Sequence, residues 1–407
     1  MRSKEDHRAR RVEPIPARKD QVVGRRFIRV IEDELQALHE HCDHPNRTLF
    51  YDHIVVAHML AFFNPAMKSL RIIEDVFEIP VIRRRFDLPH IRKSTLADAQ
   101  RLFDPELILP LIESAKKRLG SALHDTRLDA LTQKLLAVDG TFFAVAPRIA
   151  WAVYNSKQTG SVRVHMHFDI LRGVPDHATL TAGQDGEGQQ LSRALKPDCL
   201  YVMDRGFQSY RLFSDIIAAG SDFVGRLRKT ACCDVVEHRP LTAEDRACGV
   251  ISDTVVRLGE RQDRTPDLPP LRRVEVAFVD RNGKASTLIL LTNRFDLSAS
   301  MIALIYQHRW QIELFFRWLK CMACFNHFFS ESQSGMTLQI YIAILGTILI
   351  AVATGAKPSC YDYNLMSLAA SGMAPIEEVL VVAAKRRAER ARAAASARAR
   401  ASKKALR

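Results

Sequence analysis

The chain has 407 residues, 47% of them apolar and 26% charged, with a formal net charge of +13. That length can hold more than one packed unit, and the apolar share is that of a globular protein rather than a disordered or fibrous one. The positive charge sits at the ends: residues 385–407 carry +9 and residues 1–26 carry +5, so the body between them is about −1. Basic ends suit a polyanion, nucleic acid before a membrane surface.

Residues 1–26 are charged and aperiodic, which predicts a basic arm, and Met1–Asp6 lacks the apolar core of a signal peptide. From Phe27 the spacing becomes helical, through Val30, Ile31, Leu35 and Leu38. Leu49–Phe63 and Leu70–Phe77 follow as helices, and Thr95 is placed to cap the next. Asp104-Pro105-Glu106 has the form of a helix start, with Ile108, Leu111, Ile112, Ala115 and Leu119 on the inner face, Pro110 as a kink and Gly120 as the stop. An all-helical N-terminal domain, 27–125, is expected.

The period then changes. Lys134–Val138 is an apolar run met by Asp139-Gly140-Thr141, and Phe142–Val145 continues extended. Val162–Phe168 alternates with period two, and His177–Thr181 is a third strand candidate. Leu200–Met203 repeats the first pattern, with Asp204-Arg205-Gly206-Phe207 turning the chain toward a helix around Leu212–Ala219 and a strand at Asp222–Arg226. One hydrophobic run ending in Asp is ordinarily a turn or cap; here there are two. Val255–Leu258, Val274–Val279 and Thr287–Leu291 give further strands.

Ser298-Ala299-Ser300 offers hydroxyl caps for one helix over 299–321. At about 100° per residue, Tyr306, Arg309, Glu313 and Lys320 share one stripe, beside an apolar face of Ile302, Ile305, Ile312, Phe316 and Leu319. Trp310, Leu314, Phe315 and Trp318 fall on other sides, so burial on more than one face is expected. Arg309 and Glu313 alone would make an ordinary surface pair four residues apart. On a buried helix, however, charges must pair, bind a ligand or line a cleft. Cys321-x2-Cys324-x2-His327 is half of a zinc pattern with no second pair to complete it, and the other cysteines, Cys232-Cys233 among them, suggest reduced thiols. Ser332–Ala356 is uncharged, but its dense apolar part, Ile340–Ala353, is shorter than the roughly 20 residues of a span, which favours a buried helix. Pro375–Ala384 begins a last helix. The Ala/Arg tail after it can be helical but cannot bury a core, so disorder in isolation is expected.

Tyr306-x2-Arg309-Trp310-x-Ile312-Glu313-x-Phe315-Phe316-x2-Leu319-Lys320 closely resembles the signature of DDE transposases of the insertion sequence four family, and Asp139-Gly140-Thr141 and Asp204-Arg205-Gly206-Phe207 resemble that family's first and second acidic motifs. The resemblance is strong over roughly 130–356 and weak over 27–125. It implies an α/β fold: a ribonuclease-H-like mixed sheet flanked by helices, a mostly β insertion before the Glu helix, and the helical N-terminal domain in contact with the transposon end. The catalytic core would then run over 130–230 and 293–356, the insertion over 231–292, a C-terminal helical segment over 357–384 and the basic tail over 385–407. It further implies that Asp139, Asp204 and Glu313 converge as catalytic residues on two Mg²⁺ ions, with Mn²⁺ as substitute, and that Tyr306, Arg309 and Lys320 contact DNA phosphate.

The expected partners are double-stranded DNA, as terminal inverted repeats and target, and a second copy of the chain in the DNA complex, in the bacterial cytoplasm with no membrane. The expected reaction is cleavage and strand transfer in cut-and-paste transposition. Two other readings share these residues: a ribonuclease-H-like nuclease without strand transfer, and a non-catalytic DNA-binding protein derived from a transposase.

Overall fold

The computed structural model describes residues 31–41, 49–64, 66–86, 88–119, 125–146, 149–152, 160–259, 268–279, 284–321, 328–370 and 373–405. Its centre is a nine-stranded mixed sheet of β1 (Lys134–Val145), β2 (Gly160–Asp169), β3 (Val174–Ala182), β4 (Cys199–Met203), β5 (Asp222–Arg226), β6 (Cys233–His238), β7 (Val250–Leu258), β8 (Leu271–Val279) and β9 (Ala285–Thr292), in the order β3-β2-β1-β4-β5-β9-β8-β7-β6. The pairs β1–β4 and β4–β5 are parallel and the others antiparallel. Parallel neighbours need a crossover. α7 (Glu187–Arg193) lies between β3 and β4, and α8 (Tyr210–Ala218) joins β4 to β5.

Strand alternation assigns the two faces. Leu135 and Ala137 of β1 and Leu200 and Val202 of β4 join the larger core, while Leu136, Val138, Tyr201 and Met203 join a smaller one with Leu191, Phe213 and Ile216 of α7 and α8. A sheet covered on both faces needs unbroken apolar runs in its central strands, which is why these two strands carry them.

The larger core is shared. It holds α1 (Glu32–Glu40), α2 (Tyr51–Phe63), α3 (Leu70–Glu78), α5 (Lys93–Leu102) and α6 (Leu109–Lys117) together with α10 (Ala299–His308), α11 (Trp310–Cys321) and α12 (Gln333–Thr354). A short α4 (Pro80–Phe86) follows α3. α12 is the one described helix long and apolar enough to cross a membrane, and 83% of its apolar window is buried in the protein, against α2, α5, α6 and β3. Ser332 caps its start, and Gly355, at φ 59°, closes its end.

Several expectations are corrected. Thr95 is not a cap, since α5 already begins at Lys93. Asp104 does cap, accepting from the Glu106 N–H at 3.0 Å, but what it starts is a single 3-10 turn, Pro105–Ile108. Pro110 then sits in the first turn of α6, where its missing N–H costs nothing, so it separates two elements rather than kinking one. β6 and the short α9 (Ala243–Ala247) were not expected. The β-rich segment lies before the Glu313 helix as expected, and β9 pairs with β5, Val224 opposite Thr292, so its strands extend the central sheet. α13 (Cys360–Ala370) precedes α14 (Ile376–Ala405), which carries the tail as helix. Cys324, His327, Gly120, Phe27 and Val30 lie outside the described residues.

Candidate active site

The parallel pairing of β1 with β4 ends at Val138 opposite Met203. The next residue on each strand is an acid, Asp139 and Asp204. Asp139 does not end its strand, because β2 continues to pair with β1 as far as Val145; only β4 departs, turning at Asp204 into the 3-10 turn Arg205–Phe207. The two acids therefore stand at the carboxyl edge of adjacent parallel strands, where an α/β sheet opens a crevice.

The helix expected over 299–321 is two helices meeting at Arg309. Ser298 caps α10, accepting from the Met301 N–H at 3.1 Å. At the junction the Arg309 N–H bonds Tyr306 O and the Ile312 N–H bonds Arg309 O, each at 3.1 Å. These three-residue bonds tighten the turn without ending the helical path. Ile302, Ile305, Ile312, Phe316 and Leu319 are buried in the larger core, as are Phe315 and Trp318, whereas Trp310 and Leu314 are exposed, contrary to the expectation of burial on their side.

The tightened turn aims Arg309 at the acids. Its side chain is buried, 7% exposed. One terminal nitrogen, Nη2, donates to the Glu313 carboxylate, and Nη1 lies 3.7 Å from Asp139 Oδ2. Nε and Nη1 are buried without a hydrogen-bond acceptor. The guanidinium stands 5.6 Å from the Tyr306 ring centroid, and the Tyr306 hydroxyl donates to Asp204 Oδ1 at 3.1 Å. Asp204 Oδ1 is also 3.8 Å from Arg226 Nη1 at the end of β5. Five of the six residues singled out from the sequence thus meet around one guanidinium. Lys320 is exposed farther along α11, its Nζ 5.7 Å from the ring centroid of Phe143 on β1.

The surroundings shift the two aspartates in opposite directions. Burial pushes the Asp139 carboxyl up to about 6; the Gly140 N–H, donating at 2.8 Å, and Arg309 oppose the rise, while Glu187 and Glu313 add to it. Burial works to raise Asp204 too, but the Arg205 N–H, Arg309, the Tyr306 hydroxyl and Arg226 outweigh it and hold this carboxyl below the usual range. Burial pushes the Tyr306 phenol up to about 12, so it remains a donor. Burial disfavours the charge on Arg309, but Tyr306, Glu313 and Asp204 outweigh that, and its pKa is raised.

The acids offer oxygen donors, the kind a hard divalent cation takes. Asp139 Oδ2 faces Arg309 at an ion-pair distance too long for a hydrogen bond. Two contributors were missed in the sequence: Arg226, seen only as the end of a strand, and Glu187, in a polar, glycine-rich stretch with no apolar period to mark a helix.

A helix-flanked mixed sheet with acids at the carboxyl edge of its parallel strands, faced by an acid on a buried helix, is the architecture of the ribonuclease-H-like enzymes of polynucleotide chemistry. Residues 131–349, more than half of the chain, match the family model of the transposase DDE domain, and the chain belongs to that family. It is therefore a transposase, of a class that cleaves and transfers DNA with divalent metal. Among its relatives are a putative transposase, y4zB, of Sinorhizobium fredii, 30% identical over 258 residues (60% of this chain, 70% of that protein), and a probable transposase for insertion sequence element IS5377 of Geobacillus stearothermophilus, 28% identical over 224 residues (53% and 55%). A putative transposase for insertion sequence element IS4SA of Synechocystis is 22% identical over 269 residues (63% and 70%).

Proposed function

We propose that the protein cuts phosphodiester bonds at the ends of its own insertion sequence and joins the freed 3′-ends to target DNA, with Asp139, Asp204 and Glu313 as the metal-holding acids. The observation that carries this is the single guanidinium of Arg309 reaching Asp139 and Glu313 from beside the Tyr306–Asp204 hydrogen bond. These acids would hold two Mg²⁺ ions, for which Mn²⁺ substitutes. When bound, such a pair activates the attacking oxygen and stabilises the leaving oxygen of an in-line displacement.

The remaining roles belong to the protein's own groups. Arg309 keeps Nε–H and Nη1–H free of acceptors and so can offer each of them singly to a phosphate oxygen. Tyr306 stays protonated and can donate to a phosphate near Asp204. Lys320, exposed along α11, is a point charge for phosphate farther along the DNA. A groove of about 850 Å³ opens beside Tyr306, Arg309, Trp310 and Arg226, against Phe278 and Leu288 of the extended sheet. It gives a nucleotide room next to the acids. Helices α1–α6 would contact the element end, and two copies would assemble on paired ends in the bacterial cytoplasm.

Glu313→Gln tests the reading. The amide has nearly the same shape but lacks the charge that holds a divalent ion. Cleavage and strand transfer in Mg²⁺ should be lost while DNA binding persists, and Ca²⁺, with its looser shell, should bind but support little reaction. Near-normal cleavage by this variant would sink the assignment. Strand transfer from precut ends separates a transposase from a nuclease with the same acids.

A further inference from the structure

We propose that Glu187 is a fourth carboxylate of this site, binding the divalent cation held by Asp139. The inference rests on the metal-site reading above and extends it to a residue of α7, outside the three acidic motifs.

The observation behind it concerns two glycines. Each acidic motif has one, Gly140 directly after Asp139 and Gly206 two residues after Asp204. Glycine inside a strand weakens it and marks a place where something approaches the backbone closely. Here the same group approaches both. A Cβ on Gly140 would collide with Glu187 Oε1, and a Cβ on Gly206 would lie 3.4 Å from Glu187 Oε2. The two oxygens of one carboxylate are thus turned toward the backbones of the two motifs. Asp139 shares its parity on β1 with Leu135 and Ala137 and so belongs to the larger-core face, with α10 and α11; Gly140 belongs to the face of α7. Glu187 therefore reaches the same edge of the sheet from the face opposite Glu313, and a small cavity lined by both Asp139 and Glu187 joins them.

A purely structural role explains this less well. Among the described residues the cation within ion-pair distance of Glu187 is Arg163, its Nη1 at 4.0 Å. Its Nη1 already donates to Asp185 O at 2.9 Å and the guanidinium lies 4.1 Å from the Phe142 ring centroid, while its Nε is buried without an acceptor and makes no bond to Glu187. On the other side of Asp139, Arg309 is more than nine-tenths buried and keeps Nε and Nη1 without acceptors. A carboxylate drawn in among other acids, with Arg163 at arm's length, matches a centre that takes a cation, and the free N–H groups of Arg309 fit the phosphate that such a cation would hold.

The test is Mn²⁺ binding to the full-length protein, followed by electron paramagnetic resonance of the free ion, for the parent, Glu187→Gln, Glu187→Asp and Asp139→Asn. Supporting shells around a metal typically contribute 10- to 100-fold in affinity. Glu187→Gln should weaken Mn²⁺ by about 10-fold or more, with the Tm in EDTA unchanged, and Glu187→Asp should recover part of the loss. If Asp139→Asn abolishes binding while both Glu187 variants stay within twofold of the parent, the fourth carboxylate is wrong and the three-acid site stands. If Asp139→Asn also binds normally, the metal-site reading itself fails. A lowered Tm in EDTA with normal Mn²⁺ affinity would make Glu187 a packing residue and overturn the proposal.

Discussion

Two buried arginines in this molecule look alike in the sequence and differ in what surrounds them. Arg272, on β8, is 2% exposed. Its Nε and Nη2 donate to the two oxygens of Asp253 at 2.9 and 2.7 Å, and its Nη1 donates to the carbonyls of Arg294 and Leu297. Arg309, 7% exposed, gives one bond to Glu313 and leaves Nε and Nη1 without acceptors. A buried donor left unpaired costs roughly 1–3 kcal/mol, more where charge is involved. At Arg309 the unpaired nitrogens stand beside Asp139 and the groove, where a ligand can take them, whereas Arg272, satisfied at every nitrogen, is a brace. Completeness of hydrogen bonding, rather than burial or charge, separates the two.

The largest effect that tests this contrast is on stability. Arg272→Met strands Asp253 in the interior, and breaking a buried pair from one side costs about 3–5 kcal/mol. Arg239 Nε, 3.7 Å from Asp253 Oδ2, should hold the loss near the lower end. Urea denaturation measures it, and Arg272→Met/Asp253→Leu should regain most of it, because no charge is then stranded. A double variant as unstable as the single one would mean that Arg272 acts through packing alone.

Arg309→Met should behave in the opposite way. Removing a donor aimed at developing charge costs about 10²–10³ in rate, so cleavage in Mg²⁺ should fall by that order while the urea midpoint moves little. A variant that unfolds as readily as Arg272→Met but retains its cleavage rate would erase the distinction.

The same contrast explains what could be read in advance. The acid-bearing strands and the charged stripe of α10 and α11 were legible, because each is a local pattern: an apolar run meeting an acid, and four polar residues at helical spacing. The break at Arg309 and the exposure of Trp310 and Leu314 were not, since they depend on how the chain meets the sheet edge. Arg272 and Asp253 lie on neighbouring strands joined by a connection whose length says nothing about register. Glu187 carries no local signal, and only the topology that brings α7 over Gly140 and Gly206 gives it meaning. What the sequence lacked was the set of approaches between segments far apart in the chain.

A third, smaller effect follows from a satisfied neutral group. His58 of α2 is buried, with Nδ1 bonded to Ile54 O at 2.8 Å and Nε2 to the Gln100 amide nitrogen at 2.7 Å. Nδ1 therefore carries the proton and Nε2 accepts. Burial holds its pKa down, to about 4, against the ordinary 6.5. Between those values the unfolded chain takes up a proton that the folded one refuses, so stability falls as pH drops from 6.5 toward 4. For this group the loss between pH 7 and pH 5 is about 2 kcal/mol. His165 and His167, lowered to about 4 and about 3, add to it with the same sign. Denaturation at the two pH values should show a smaller acid loss in His58→Gln than in the parent; equal losses would mean that His58 is not neutral in the fold.

The smallest effect concerns charges at the far end of the chain. Within α14 the basic residues divide as the two arginines do. Arg387 donates to the buried Asp362 at 2.9 Å and to Thr354 O at 3.0 Å, and the Arg390 guanidinium lies 4.7 Å from the Tyr361 ring centroid, so the start of the tail is docked. Beyond it, residues 391–407 hold six Lys/Arg and no acid. The side chains described there, through residue 396, are exposed. Cations of this kind add affinity for phosphate without sequence information. Deleting 391–407, which spares the docked turn, should weaken binding to element ends and to random DNA alike. If half of the six touch phosphate, the slope of log K against log[salt] should flatten by roughly 3 units. Titrations of both DNAs at several salt concentrations measure this. An unchanged slope would show that the tail is idle, and a loss confined to element ends would show that it reads sequence, either of which would end the comparison with Arg309.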